Sequence, residues 1–145
     1  WIVSLPVLLA ASDGASGGVT WVIVVGVVVW LVGFGFEAVG DLQLARFKAD
    51  AANRGRVLDT GLWGWTRHPN YFGDALQWWG VFLTCVARPR GWLGIVGPAI
   101  MTFLLLRVSG VALLEKSLQR TKPQYADYVA RTSAFVPRPP RRPAP

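Results

Sequence analysis

The sequence predicts an all-α fold, a polytopic membrane helical bundle with a cytoplasmic helical cap, and three observations carry that prediction. Hydrophobic residues make up 52% of the 145 positions and mean hydropathy is positive, unlike the usual soluble domain. Apolar runs of near-membrane length recur along the chain, separated by short polar connectors. The basic residues also keep to one set of run ends, since 13 of the 15 Lys and Arg lie between Asp41 and Asn70 or from Arg107 onward.

The elements follow in order. Trp1 to Ala11 is apolar and predicts a first helix near 1–11. It has neither the basic n-region nor the small-residue cleavage site of a secretory signal, so a membrane helix is the better reading. Because the chain opens at Trp1, without methionine and inside an apolar run, it is expected to be the C-terminal fragment of a longer protein. Val19 to Val39 is interrupted only by Thr20 and Glu37 and suffices to cross a hydrocarbon layer of ~30 Å at ~1.5 Å per residue, giving a helix near 19–40. Leu42, Leu44, Ala45 and Phe47 then suggest a short interfacial helix rather than another crossing, and Asn53-Arg54-Gly55-Arg56 a turn. Tyr71 to Ala87 predicts a helix near 71–87, polar at Asp74 and Gln77, with Trp78, Trp79 and Phe82 suited to a membrane boundary. Trp92 to Leu106 predicts another, near 92–110, extending past Arg107 because long cationic side chains snorkel.

Val111 to Arg131 reads as a cap helix, with Leu113, Leu114, Leu118, Tyr125 and Tyr128 for its apolar stripe and Pro123 breaking its middle. The segment from Val136 to Pro143 is too rich in proline to be helical. The expected division is a membrane helical domain over 1–130 and an extended or disordered basic tail over 131–145. Alternating crossings put both basic segments on one side, which the positive-inside rule makes cytoplasmic, C-terminus included. The connectors 12–18 and 88–91 then face the other way.

Several classes drop out. The net charge of +7 follows from the positive-inside pattern and attraction to anionic headgroups, and the bases form no nucleic-acid-reading module. Cys85 is alone, so an internal disulfide or a cysteine metal cluster is ruled out. His68 is the one histidine; no Ser/His/Asp triad and no clustered metal ligands accompany it.

The chemistry concentrates between Thr66 and Asp74 and at the facing end of the preceding span. Glu37 and Asp41 stand four residues apart, as do Asn70 and Asp74, so each pair presents two hydrogen-bonding groups on one helix face. A carboxylate near membrane depth is costly unless paired or hydrated, which marks Glu37 and Asp74 for binding. The competing reading is a structural ion pair with Arg46, Arg67 or Arg107, or hydration at the interface. Arg67 offers the planar fork that suits phosphate or carboxylate, and Pro69 starts a helix whose first N–H groups favour an anion. The bland alternative for this stretch is a juxtamembrane basic loop.

The run Leu62-Trp63-Gly64-Trp65-Thr66-Arg67-His68-Pro69-Asn70-Tyr71-Phe72-Gly73-Asp74, followed by Trp78-Trp79-Gly80, resembles the C-terminal domain of the steroid 5-alpha-reductase superfamily, particularly its DUF1295 branch. Glu37 to Asp41, Arg56, Leu113 to Lys116, Tyr125 to Tyr128 and Ser133 to Pro137 fit in order, covering about residues 30 to 140. The resemblance implies a membrane enzyme that binds NADPH at its cytoplasmic side and reduces a carbon–carbon double bond of a steroid or another lipid-like molecule. It assigns Asp41, Arg56, Asn70 and Asp74 to the nucleotide site, with Glu37 and Lys48 as further members and Tyr125 or Tyr128 lining it from the cap. Glu37, Lys48 and Asp74 stand where steroid reductases carry Asn, Arg and Glu. Arg56 and Arg67 suit phosphates, while Asn70 and Asp74 suit a carboxamide or ribose hydroxyls; the hydride chemistry would belong to the cofactor. No GxGxxG unit is present, so this is not a Rossmann site, and Gly33, Gly35 and Gly40 are expected to permit close helix packing. The catalytic acid is not assigned and is expected upstream.

Two alternatives stay open. The Arg-His-Pro-x-Tyr-x-Gly pattern with Glu115 before Tyr125 and Tyr128 also resembles isoprenylcysteine and phospholipid methyltransferases, which would use S-adenosylmethionine. A non-enzymatic membrane scaffold is the other.

Overall fold

The computed structural model describes residues 3–12, 20–108, 111, 115, 118, 122 and 124–140. Five α-helices lie wholly within the described residues, α1 (Leu5–Ser12), α2 (Trp21–Ala49), α3 (Pro69–Val86), α4 (Val96–Phe103) and α5 (Tyr125–Arg131). There is no strand among the described residues. Among the described residues, two segments are long and apolar enough to cross a membrane by length and composition, Trp21–Ala49 and Gly91–Val108.

The architecture rests on α2 against α3. Every buried residue of α2 is a glycine, Gly26, Gly33 and Gly40, and two of the buried residues of α3 are Gly73 and Gly80. Both sets repeat every seven residues, the spacing that keeps one seam facing a partner helix. A Cβ at Gly33 would lie 2.7 Å from Gly73 O, and one at Gly80 would lie 2.8 Å from Gly26 O. The backbones themselves are therefore in contact. Gly35, expected to serve the same packing, has nothing within 4 Å, because two residues on from Gly33 is about 200° around the helix. The rest of α2 turns Val24, Val25, Val28, Leu31, Val32 and Phe34 outward, a surface suited to lipid and not to water. α1 lies against α3 and α4, with Pro6 filling the space at Gly94 and Gly97.

Three expectations about the elements are corrected. The helix expected near 19–40 continues to Ala49 and absorbs the separate interfacial helix. Gly40 does not break it, since it is held against Pro69 and Asn70, and Leu42 to Lys48 is rich in good helix formers. The helix then stops at Asp50, whose carboxylate caps the Ala52 N–H. The span near 92–110 is not one regular helix, because a 3-10 segment Gly91–Ile95 leads into α4, and a π turn Leu104–Val108 follows it. Pro98 has no N–H to donate back and clashes with the fourth carbonyl before it, so it sits in the first turn of α4. As expected from the sequence, the cap is interrupted within 111–131, Lys122 and Gln124 being non-helical. Val111, Glu115 and Leu118 are helical, and α5 forms separately from Tyr125. Trp1, Leu113, Leu114, Pro123 and the tail residues 141–145 lie outside the described residues, as does most of the connector 12–18. The third expected helix starts at Pro69, two residues early, with proline in its favoured first position.

Candidate functional site

The loop between α2 and α3 is fixed from both sides. Gly61 takes a left-handed φ of 61°, which glycine adopts without strain, and turns the chain back onto α2, where Gln43 Oε1 accepts the Leu62 N–H at 3.0 Å. Trp63 Nε1 donates to Gly40 O at 3.0 Å, and the Tyr128 hydroxyl donates to Trp63 O at 2.6 Å. The residues after α5 then run extended over this loop. Thr66 and Ser133 form a parallel bridge, Arg67 N donates to Ser133 O at 2.9 Å and Arg138 N to Trp65 O at 3.0 Å, and Thr66 Oγ1 donates to Phe135 O at 2.8 Å.

Beneath α5 lies a knot of buried polar side chains. Arg67 Nε donates to Glu115 Oε1 at 2.8 Å, and its Nη1 donates to Val129 O and Thr132 O, both at 3.0 Å. The same Glu115 oxygen meets His68 Nε2 at 3.2 Å. An oxygen already accepting from a guanidinium is a carboxylate acceptor, so Nε2 carries the proton. The His68 ring is 1% exposed and stacks on Tyr71 at 5.6 Å. Its Nδ1 has no hydrogen-bond partner among the described residues. Burial pushes the His68 pKa down against the opposing pull of Glu115, so the imidazole is neutral. Burial also raises the Tyr125 hydroxyl to about 12, helped by Glu115, and raises Tyr128 further. Both phenols are hydrogen-bonding groups at neutral pH, not ions.

Next to the knot is a cavity of about 160 Å³, walled by Phe47, Lys48, Trp63, Arg67, His68, Lys122, Tyr125 and Tyr128. A polar basin of about 250 Å³ adjoins it, lined by Arg54, Arg56 and Asp50 and sharing Phe47, Lys48 and Lys122 with the cavity. Lys122 Nζ donates to the Arg56 carbonyl at the common wall.

From the cavity a polar ladder climbs between α2 and α3. Glu37, Asp41, Leu44 and Lys48 follow the spacing of one stripe of α2, and Asn70, Asp74 and Gln77 that of one stripe of α3. Asn70 Nδ2 donates to Asp41 Oδ1 at 2.9 Å, and Gln77 Nε2 donates to Glu37 Oε2. Asp74 lies in electrostatic range of Glu37.

The structure thus sorts the residues expected at the site into two groups. Lys48, Arg67, Tyr125 and Tyr128 line the cavity, with Arg56 in the adjoining basin; Glu37, Asp41, Asn70 and Asp74 form the ladder. Arg67 departs from its expected part. Nε and Nη1 of its guanidinium, expected to face a phosphate, are engaged with Glu115 and two cap carbonyls. Gln77, Trp63, Arg54 and Lys122 are not among the residues that the sequence marks for the site. Gln77 carried a signal, being seven residues after Asn70; Lys122 and Arg54 carried none beyond their charge.

Comparisons with known proteins bear on the chain as a whole. The Drosophila melanogaster Lamin-B receptor is 31% identical over 80 residues, 51% of this chain and 11% of the receptor. An uncharacterized protein of Schizosaccharomyces pombe is 30% identical over 102 residues, 64% of this chain and 27% of that protein. The chain therefore spans well under a third of the length of either curated relative. No solved structure matches it. A family model described as a protein of unknown function, DUF1295, matches residues 1–132, and the chain belongs to that family.

Proposed function

We propose that the chain supplies most of the cofactor site of a membrane-embedded, NADPH-dependent reductase acting on a carbon–carbon double bond of a steroid-like or other lipid substrate. One observation carries the reading: a cation-rich, aromatic-walled cavity and basin continue into a ladder of carboxylates and amides that ends at the apolar part of α2. The donor set fits the cofactor. Lys48 and Arg56 suit its phosphates, Asp41, Asn70, Glu37 and Asp74 suit hydroxyls and a carboxamide, and Tyr125 and Tyr128 wall the chamber and exclude water. Arg67 and Glu115 act behind them by fixing the cap. When bound, NADPH supplies the hydride. The apolar outer face of α2 below Glu37 suits the approach of a lipid-like substrate from the bilayer, and the basic end is assigned to the cytoplasm by the positive-inside rule.

The methyltransferase alternative would need a pocket for S-adenosylmethionine, a cationic sulfonium without phosphates, and Lys48, Arg54, Arg56 and Lys122 suit a polyanion better. A scaffold would need no such ladder. Titrating the intact protein in lipid nanodiscs with NADPH and with S-adenosylmethionine decides. NADPH binding is expected, weakened by about 1.5–3 kcal/mol in Arg56→Ala through loss of a charged hydrogen bond. Tight methyl-donor binding without any NADPH response would overturn the reading.

A further inference from the structure

We infer that the turn from α5 into the extended strap over 133–138 is a binding site for the phosphodiester of an anionic phospholipid, and that it ties the cap to the headgroups of the adjoining leaflet. The site uses residues outside the proposed cofactor site and stands or falls apart from that reading.

Depth comes first. Phe36 stands just before Glu37, at the polar end of the apolar run of α2. Its ring meets that of Phe72 edge-on with centroids 5.1 Å apart, and Phe72 meets Phe135 of the strap at 5.8 Å. This chain of rings pins the strap at the level where α2 passes from apolar to polar, which in a bilayer is the boundary between acyl chains and headgroups. Val136, next to Phe135, is 53% exposed, and an apolar side chain fits that boundary better than it fits water. The strap lies at the end of the bundle that the positive-inside rule makes cytoplasmic, and the cytoplasmic leaflet is the anionic one.

Charge comes second. Where α5 gives way to the strap, a hollow of about 290 Å³ is lined by Arg131, Thr132, Ser133 and Arg138 and by no acid. It shares no residue with the cavity or the basin. The carbonyls that end a helix repel an anion, but those of Val129 and Thr132 already accept from Arg67, which blunts the repulsion. Arg131 commits Nη2 to Asp59 Oδ2 at 2.5 Å, while its Nε is buried with no partner among the described residues. The Arg138 side chain is exposed and forms no ion pair among the described residues. Asp127, one turn back on α5, is exposed and does not line the hollow. With Asp59 counted against Arg131 and Arg138, one positive charge is left over, and a phosphodiester carries one negative charge. A phosphate monoester, at about −1.5 to −2, overshoots. The two guanidinium groups suit the two free oxygens of the diester, and the Ser133 hydroxyl is a further donor. Phosphatidylglycerol carries this charge without the headgroup amine that Arg138 repels.

The test counts lipid retained by the intact protein in a neutral detergent, using native mass spectrometry with phosphatidylglycerol and phosphatidylcholine as probes. The wild type is expected to hold one phosphatidylglycerol roughly fivefold more tightly than phosphatidylcholine, about the weight of one arginine at a charged surface. Arg138→Ala should lose most of that preference and Arg138→Lys, which keeps the charge, should retain it. The Arg138 N–H bond to Trp65 O survives both changes, so an unaltered thermal midpoint is expected. Arg141→Ala combined with Arg142→Ala removes twice the charge farther along the sequence and should leave the preference in place. A loss as large in that double variant as in Arg138→Ala would mean diffuse attraction to the tail and overturn the site. Equal retention of the two lipids by the wild type, or an undiminished preference in Arg138→Ala, overturns it as well. Displacement of the lipid by millimolar inorganic phosphate would assign the hollow to a free anion and overturn the lipid assignment.

Discussion

Along the seam between α2 and α3 backbone meets backbone where Gly26 faces Gly80 and Gly33 faces Gly73, and Gly40 lies against Pro69 and Asn70. Beneath α5 the contacts are made by side-chain donors and acceptors, with Arg67 and His68 sharing one Glu115 oxygen and Tyr128 anchored on the Trp63 carbonyl. The seam draws its specificity from shape and offers no chemical alternative to its single register. The knot draws its specificity from satisfied polar groups, which makes it sensitive to protonation and to the loss of any one partner. One region fixes the distance between the two sides of the ladder, and the other fixes the cap over the cavity.

The sharpest way to break the contrast is to put a side chain into the seam. In Gly73→Leu even the new Cβ would lie 2.5 Å from both Gly33 O and Glu37 N, backbone atoms that cannot yield, so loss of the folded protein is expected on size-exclusion chromatography; Gly35→Ala, with open space around it, should fold normally. Overpacked cores ordinarily lose ~1–3 kcal/mol, occasionally more, and a backbone clash belongs at the upper end. Folded, fully stable Gly73→Leu would mean that the seam is not in contact.

Next in size is Glu115→Ala. It leaves the 9%-exposed Arg67 guanidinium without its counter-ion, and breaking a buried pair on one side costs about 3–5 kcal/mol. The two carbonyls that still accept from Nη1 put the expected loss near the lower figure, read as thermal unfolding in nanodiscs. An unchanged midpoint would show that the backbone acceptors alone hold Arg67.

The smallest effect is a matter of pH. His68 is a base whose folded pKa lies below its unfolded 6.5, so near pH 6 the unfolded chain binds more protons than the folded one. Stability therefore rises with pH through that window and falls as pH drops below about 6.5. His68→Asn should flatten this slope relative to the wild type, and an identical slope would place the titration elsewhere. The seam glycines carry no titratable side chain and should add nothing to the slope.

These two regions also differ in how far sequence discloses them. The seven-residue spacing of the seam glycines is written in the chain, yet the sequence reading finds only Gly33 and Gly40, misses Gly26, Gly73 and Gly80 and adds Gly35, because propensity for close packing says nothing about which side of the helix a glycine occupies. Gly40 likewise reads as a helix end by propensity, yet contact with Pro69 and Asn70 carries α2 through to Ala49. The ladder was half visible: the spacings of Glu37 with Asp41 and of Asn70 with Asp74 were legible, and the Asp41–Asn70 bond across 29 residues was not. The knot was hidden. Arg67 looks like an anion reader because two of its acceptors are main-chain carbonyls, at Val129 and Thr132, which any residue would present. Its carboxylate partner lies 48 residues on.

The strap formed by Ser133, Phe135 and Arg138 over Trp65, Thr66 and Arg67 has a consequence for the order of assembly. On the ribosome α2 and α3, joined through residues 50–68, can zip together while the rest of the chain is still being made. The strap joins segments separated by roughly seventy residues, a contact whose loop-closure entropy is met late in folding. The strap over the chamber is therefore the last part to arrive, and a nascent chain halted before residue 133 holds a finished seam with the loop before α3 still unstrapped.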